Sequence, residues 1–381
     1  MEMAEDIASE TFLAAAQTWG IEGPPPQPTA WLYHVAKNKA RTALQREQLF
    51  RSRISPEIRK DATTAADPSM EIDLSPQSID DSQLQMMFAI CHPSIPPEAQ
   101  IGLSLRILCG FGIEEIADAF LSNKETINKR LFRAREKLRE EKIRIELPGP
   151  AAIDTRLGTV LTTIYLLFNE GYYSESSNDV LRKDLCLEAV RLCHMLTRNP
   201  ATDQPRVNAL LALMCFHASR FEARIGKNGE IILYDQQDQS LWNTDLISEG
   251  CYYLKRSAHG ETLSTYHLEA SIAFWSTQKT DGPEKWEQIL QLYNQLLRIN
   301  YSPIAALNRT YALARANGKE EAIVEAEKLR LTDSPYYFAL LGELYTDVDN
   351  HKAREHFQRA MELAKTEADR RVMERKTHGL C

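Results

Sequence analysis

Helical periodicity constrains this chain more than any other feature of its sequence. Apolar side chains recur every three to four positions through almost the whole chain, which is the spacing that gives a helix one buried face. Alternation of the kind that favours a strand is confined to a short piece near 230–234. The sequence therefore predicts an all-α protein. At 381 residues the chain is too long for one small domain, and two or three domains are expected.

Proline and glycine divide the predicted helices into groups. Residues 20–28 (GIEGPPPQP) end the first helix, because proline cannot continue one. A stretch at 52–82 is rich in Ser, Pro, Asp and Thr, which favours a flexible linker, and a Pro-Gly-Pro break at 148–150 closes a second group. We expect a small helical domain at 1–51, a linker at 52–82, a second small domain at 83–147 and a large helical region at 156–381.

The distribution of charge is more informative than the net charge of −8. Residues 31–60 hold eight Lys or Arg against two acids, and residues 124–144 hold nine against four. An acidic stretch without Lys or Arg, 61–100, separates these basic islands. One basic run in a helix is usually a solvated face, but two in an acidic chain favour contact with nucleic acid.

Several classes of function are not expected. The N-terminus, MEMAEDIASE, lacks the basic start and apolar core of a secretory signal, and no stretch approaches eighteen uninterrupted apolar residues. We therefore expect a cytoplasmic protein with no membrane partner. The seven cysteines include no CxxC pair, so we expect reduced, buried thiols and no metal site. We find no Gly-rich phosphate loop and no nucleophile elbow, and predict neither an enzyme nor a cofactor.

Residues 112–138 have the pattern of a helix-turn-helix. A short helix at 112–120 (GIEEIADAF) and a tight turn precede a second helix with Ile127, Leu131, Ala134 and Leu138 on its buried side. Such a helix projects its N-terminal end outward, where it can enter the major groove of DNA. A helical hairpin with a merely charged face is the less favoured alternative. The candidate DNA contacts are Lys124, Glu125, Thr126, Asn128, Lys129, Arg130, Arg133 and Arg135.

This segment resembles region four of the extracytoplasmic-function (ECF) sigma factors. There an E-I-A helix and a turn precede the run T-V-K-S-R-L-x-R-A-R-x-x-L-R, and this chain has EEIADAF followed by SNKETINKRLFRAREKLRE. Asn128 and Lys129 replace the usual Lys-Ser, so the resemblance does not carry over the sequence of the upstream promoter element. It implies a sigma factor with promoter DNA and core RNA polymerase as partners.

The N-terminal segment resembles region two of the same family. Residues 3–19 (MAEDIASETFLAAAQTW) are similar to the helix that docks on polymerase, which implies polymerase contacts for Asp6, Glu10 and Phe12. Residues 28–46 (PTAWLYHVAKNKARTALQR) are similar to the following segment, which implies contact of Lys37, Asn38 and Arg41 with melted DNA. For Trp31, core packing and contact with nucleic acid stay equally open. Relative to the family, domain 1–51 is expected to lack its first helix.

Residues 156–381 resemble the C-terminal half of an ECF subgroup with a tetratricopeptide-like extension. The resemblance rests on YLLFNEGY at 165–172 and LLALMCFHASRFEAR at 210–224. Near the end, Ser-Pro at 302–303 recurs at 334–335, and a period of about 32–34 residues is typical of such units. Five polar residues are set among apolar helices: Asn169, Glu170, Arg220, Arg224 and Asp238. A structural polar network is the favoured interpretation, and a pocket for a regulatory small molecule or protein is the alternative.

Three functions stay open at this point. The leading hypothesis is a sigma factor that binds core RNA polymerase and directs promoter-specific initiation, with a regulatory C-terminal domain. The second is a stand-alone helix-turn-helix regulator with a ligand- or partner-sensing helical domain. The third is a repeat-protein scaffold.

Overall fold

A computed structural model describes residues 2–26, 28–29, 31–40, 76–108, 111–120, 122–143, 148–172, 183–224, 226, 232, 234–260, 262–364 and 367–380. The regular elements in these residues are helices, which confirms the predicted all-α fold. The strand-like piece near 230–234 lies mostly outside the described residues, and Tyr234 begins a 3-10 turn. The chain forms two compact units, Met1–Met86 and Met87–Cys381.

The first unit is built around two helices that pack on each other. These are α1 (Glu2–Glu22) and α2 (31–40). The rings of Trp19 and Trp31 lie 5.4 Å apart between their centroids, and Lys39 Nζ lies 2.7 Å from a carboxylate oxygen of Glu10. Trp31 is half-buried, so its ring packs within this unit, and its contact with nucleic acid stays a prediction. Arg41 lies outside the described residues.

Helix α3 (Pro76–Ile90) begins inside the stretch that the sequence assigned to a linker. Its first turns are polar, so their composition resembles that of a loop, but proline is well suited to the first turn of a helix. Part of the stretch assigned to the linker is therefore helical, while the two compact units divide between 86 and 87 and the domain boundary expected at residue 83 stays a prediction. Residues 52–75, the rest of the predicted linker, lie outside the described residues.

The second unit begins with the end of α3 and the predicted helix-turn-helix, and it continues directly into the C-terminal helices. Three helices, α4 (Pro97–Ile107), α5 (Ile113–Ala119) and α6 (Lys124–Glu140), precede α7 (Pro150–Tyr172). Helix α7 contacts α4, and Arg156 Nη1 donates a hydrogen bond to the carbonyl oxygen of Phe88 over 3.1 Å. The Pro-Gly-Pro break lies directly before α7, and the helices on both sides of it belong to the same compact unit.

The core of the C-terminal region surrounds one helix. After α8 (Lys183–Arg198) the chain forms α9 (Pro205–Ala218), which is buried along almost its whole length because α7, α8, α11 and α12 pack around it. Helix α7 has the length and apolar composition of a helix that could cross a membrane. Ten of its residues are buried inside the unit, as in a core helix. Cys186, Cys193 and Cys215 are buried thiols here, as predicted.

The rest of the chain is a succession of packed helices. The short helix α10 (Phe221–Arg224) and two 3-10 turns (Tyr234–Gln236 and Gln239–Leu241) lead to the last eight helices, each of which contacts the next. These are α11 (Thr244–Ser257), α12 (Thr265–Ser276), α13 (Pro283–Ile299), α14 (Pro303–Asn317), α15 (Lys319–Leu329), α16 (Pro335–Tyr345), α17 (Asn350–Leu363) and α18 (Glu367–His378).

The internal repeat in the sequence corresponds to a repeated helical hairpin. Ser302 and Ser334 are the N-caps of α14 and α16, where each side chain accepts a hydrogen bond from a backbone N–H of the first turn. The second helices of the two hairpins, α15 and α17, bury Ala322 and Ala353 completely. Helix α14 also contacts α16, so the two hairpins stack.

The second hairpin depends on a close approach at Gly342 of α16. A Cβ atom at this position would lie 2.6 Å from carbon atoms of the Phe357 ring on α17. Gly342→Ala is therefore expected to destabilise the hairpin by about 1–3 kcal/mol, even though alanine is the better helix former. Gly158→Ala on α7 is the matched control, because a Cβ there meets nothing within 4 Å.

Hydrogen exchange of the full chain measures this effect locally. Amides of α16 and α17 should exchange faster in Gly342→Ala and should be unaffected in Gly158→Ala. Unchanged protection of both helices in Gly342→Ala would contradict the packing described for this hairpin.

Candidate nucleic-acid interface

Local hydrogen bonds fix the turn between α5 and α6. The Ser122 N–H donates to the Ala117 carbonyl oxygen over 2.8 Å at the end of α5. Asn123 is the N-cap of α6, and its Oδ1 accepts from the Thr126 N–H, also over 2.8 Å. Asparagine is among the best N-cap residues because its short side chain accepts a hydrogen bond from a backbone N–H of the first turn, which has no acceptor within the helix. The sequence therefore encodes both the end of α5 and the start of α6.

Three of the four residues predicted on the buried face of α6 are buried, whereas the fourth, Leu138, is half-buried near the end of the helix. Ile127, Leu131 and Ala134 are at most 3 % exposed. They belong to a small core with α4 and α5, whose Ile116 is fully buried. Gly102 of α4 allows a close approach here, since a Cβ at that position would lie 3.0 Å from a methyl carbon of Leu131. This core fixes the orientation of α6 within the helix-turn-helix.

The opposite side of α6 is open. Of the predicted DNA contacts, six are exposed and two are half-buried. Arg130 lies 5.8 Å from the centre of the Phe120 ring, and Arg135 Nε donates to the Leu131 carbonyl oxygen over 3.2 Å. The exposed six are Lys124, Glu125, Thr126, Asn128, Lys129 and Arg133. We call the outward side chains Glu125, Asn128, Lys129, Phe132 and Arg133 the recognition face.

Phe132 is the member of this face that the sequence did not predict. It is 60 % exposed and lies one turn after Lys129 and Asn128. Phe132 does not share the three- to four-residue spacing of the buried residues of α6. An apolar residue that breaks this spacing must lie on the outer side of the helix, so the sequence could have predicted its exposure. An exposed aromatic ring between cationic and amide side chains can make apolar contacts with a base edge or a sugar.

Two lysines of α6 are ion-paired in the free protein. Lys129 Nζ lies 2.6 Å from a carboxylate oxygen of Glu125, and Lys124 Nζ lies 2.6 Å from one of Glu114. The hydrogen bond from Lys124 lowers the pKa of Glu114. Both pairs are well exposed, and such pairs are weak, so DNA phosphates can compete with these carboxylates for the lysines.

The first unit presents its candidate side chains on the outside of α1 and α2. Lys37 and Asn38 are exposed, and Asn38 Nδ2 lies 2.7 Å from His34 Nε2. On α1, Asp6 and Glu10 are exposed one turn apart, on the same side as Leu13, which is 59 % exposed. Phe12 is also exposed, at 65 %, but it points away from that side. Leu13 was not predicted from the sequence.

The five polar residues of the C-terminal region do not form one network. Arg220 and Arg224 are buried, whereas Asn169 and Glu170 are half-buried. Asp238, which was expected among them, is exposed and caps a 3-10 turn by accepting hydrogen bonds from the backbone N–H and hydroxyl of Ser240. A short carboxylate bonds readily to nearby backbone N–H groups, and here this local contact replaces the long-range pairing that was expected.

The buried arginines contact aromatic rings. The Arg224 guanidinium lies 4.0 Å from the centre of the Tyr172 ring, and the Arg220 guanidinium lies 5.4 Å from that of Tyr234. Burial lowers the pKa of His217 to about 3, and the charges of Arg220 and Arg224 add to this effect. His217 is therefore neutral at physiological pH, and the positive charge of this region comes from the arginines.

Comparison with known families matches two parts of the chain. Residues 1–50 match the family described as sigma-70 region 2. Residues 156–258 match a family of unknown function (DUF6596). The first match covers α1 and α2, and the second covers α7 to α11 together with the buried arginines.

A relative covers nearly the whole chain. Uncharacterized protein R00370 of Rhizobium meliloti (strain 1021) is 32 % identical over 370 residues, which span 96 % of this chain and 86 % of that protein. No solved structure matches the chain significantly. The alignment with the Rhizobium protein includes the helix-turn-helix and the stacked hairpins, so the two proteins share the order of these parts.

Proposed function

We propose that this chain, which belongs to the sigma-70 family, is an ECF-type sigma factor. In this role it would bind core RNA polymerase and direct the polymerase to a two-part promoter. The observation that carries this proposal is the open recognition face of α6, which occurs in a chain whose first 50 residues match sigma-70 region 2. The C-terminal helices pack on α4, on another side of the helix-turn-helix, and leave this face exposed.

The upstream promoter element would be bound by α6. Its N-terminal end enters the major groove, where Asn128 and Lys129 reach base edges and Arg133 contacts a phosphate. Lys124, Arg130 and Arg135 add positive charge beside the backbone. Glu125 and Thr126 are close enough to the helix start to limit which bases fit there.

The first unit would hold polymerase and the melted strand. Asp6 and Glu10 offer carboxylates beside the apolar Leu13, a combination suited to a docking surface with a basic rim on the partner. Phe12 adds a second apolar contact. Lys37, Asn38 and Arg41 follow on the next segment, where amide and cationic side chains suit an unstacked base and its backbone.

The C-terminal helices would form a tetratricopeptide-like regulatory domain in a cytoplasmic factor. The stacked hairpins α14–α15 and α16–α17 support this assignment, since such stacks create extended binding surfaces for proteins. The partner of this surface is a regulatory protein or a small ligand.

Run-off transcription with purified core polymerase tests the proposal. The full chain should direct specific transcripts from its own promoters. Specific DNA binding that does not depend on polymerase would favour the stand-alone helix-turn-helix regulator. Absence of both activities would favour the repeat scaffold.

Asn38→Ala sharpens the test of the first unit. Because Asn38 is assigned to the melted strand, the variant should reduce open-complex formation, measured by permanganate reactivity, more than closed-complex affinity. Asn300→Ala, which removes an exposed asparagine at the end of α13, is the control. Equal losses in both steps for Asn38→Ala would remove its role in the open complex.

A further inference from the structure

Three cationic side chains, two on different helices and one in a turn, lie close to the rings of Tyr234 and Trp286 in the C-terminal region. The Arg220 guanidinium and Lys285 Nζ lie 5.4 and 5.5 Å from the centre of the Tyr234 ring, and Lys285 Nζ also donates to the Tyr234 hydroxyl over 2.9 Å. Arg315 lies 4.9 Å from the centre of the Trp286 ring, whose centre is 6.4 Å from that of Tyr234. We call Arg220, Lys285 and Arg315 with these two rings the cationic site.

The positive charge of this site is not balanced by the described carboxylates. Asp281 is the acid that pairs here: its oxygens lie 2.5 Å from Arg315 and 3.9 Å from Lys285. Arg220 makes no ion pair in the part of the chain that the structure describes, although it is only 9 % exposed. A buried guanidinium without a carboxylate is costly, and proteins normally provide an anion for it.

Two buried hydrogen-bond donors flank Tyr234 and lack an acceptor within the described structure. These are Arg220 Nε and Trp242 Nε1, and Trp242 is only 4 % exposed. The centres of the Trp242 and Tyr234 rings are 6.4 Å apart. Buried polar atoms are almost always paired, so two unpaired donors beside excess positive charge call for an acceptor with negative charge.

The titration of Lys285 agrees with this charge balance. Burial lowers its pKa, Asp281 opposes that effect, and the charges of Arg315 and Arg220 lower the pKa further. The lysine therefore senses both arginines, and an anion between them would relieve all three cations.

We propose that the cationic site binds a small oxyanion, a phosphate or carboxylate group of a ligand whose planar body contacts Tyr234 or Trp286. Guanidinium, ammonium and indole N–H groups are donors that suit phosphate and carboxylate oxygens. The aromatic rings provide the apolar wall common to small-molecule sites. This inference does not rest on the sigma-factor role, because it uses only α13, α14 and the turns before and after α10.

Thermal unfolding of the full chain tests the site. Inorganic phosphate and benzoate are titrated separately at constant ionic strength against sodium chloride. At least one of the two anions should raise the midpoint of thermal unfolding by about 2 °C or more when its concentration is ten times its dissociation constant. This increase should saturate with anion concentration. Phosphate alone would assign a phosphoryl group, and benzoate alone an aromatic carboxylate. The absence of a saturable shift with both anions would overturn the proposal.

Substitutions separate binding from general salt effects. Arg220→Met and Lys285→Met should each lose the saturable shift, whereas Arg359→Met, which removes an exposed arginine of α17, should keep it. Without added anion, Arg220→Met should unfold at or above the wild-type midpoint, because a buried cation is replaced by an apolar side chain of similar length. A saturable shift that survives in Arg220→Met and Lys285→Met would place the anion elsewhere and overturn the site.

Discussion

Replacing Lys129 and Arg133 together by alanine is expected to lower the affinity of the polymerase complex for its promoter by about ten- to a hundredfold at physiological salt. Both side chains are exposed on the recognition face, on the side opposite to the buried Ile127 and Leu131. Neither substitution touches the core of the helix-turn-helix, so the loss should come from DNA contacts. The slope of log affinity against log salt should fall by about 1, as the phosphate contact of Arg133 disappears.

Two further variants of α6 make this prediction specific. Glu125→Gln removes the carboxylate that pairs with Lys129 in the free protein and should raise affinity while steepening the salt dependence. Arg139→Ala removes an exposed arginine from the far end of α6, where it pairs with Glu136, and should have little effect. Electrophoretic mobility measurements over a range of salt concentrations compare all of them. If Lys129→Ala with Arg133→Ala behaves like Arg139→Ala, the recognition face is wrong.

Local features of the sequence predicted local features of the structure. The buried face of α6 follows from apolar spacing within seventeen residues, and Asn123 marks its start by capping. The recurrence of Ser302 as Ser334 predicted the starts of two equivalent helices, because the same cap and proline operate at both. These predictions depend only on residues within a single turn or helix. Packing against the rest of the chain does not change the local structure at these positions.

Contacts between distant parts of the chain were not predicted. The hydrogen bond from Arg156 to Phe88 joins residues 68 positions apart, and no periodicity reports such a partner. The ion pair of Lys124 with Glu114 depends on the angle between α5 and α6. Asp238 was expected in a buried network because it is a charged residue set among apolar helices, yet its short side chain bonds within two residues. In each case the missing information was three-dimensional.

The packing of α7 on α4 gives α4 two roles. It contributes to the core beneath α6, and it carries the first turns of the C-terminal region. Within this unit α6 and the C-terminal helices therefore share one supporting element. A change in the position of α7 would act on the same helix that orients the recognition face, which makes α4 the most direct physical connection between the C-terminal region and DNA binding.

Removal of residues 150–381 should therefore damage the helix-turn-helix itself. The truncated chain loses the cover that α7 provides to α4, together with the contact of Arg156 with Phe88, and newly exposed apolar surface promotes association. We expect the truncated protein to elute as aggregates, to bind a hydrophobic dye and to exchange the amides of α4 rapidly. Promoter binding should fall with the loss of folded protein, although every residue of the recognition face is still present.

The matched control for this truncation cuts the chain at the same place but leaves residues 150–381 in the sample. Gly149 is exposed between two prolines, and a Cβ atom at this position would meet nothing within 4 Å, so a protease site inserted there should leave the packing intact. After cleavage, the two fragments should elute together even at high salt, because apolar contact and not charge holds α7 on α4. Separation of the cleaved fragments as two soluble, folded proteins would show that α7 does not support the helix-turn-helix, and that the C-terminal region is an independent appendage.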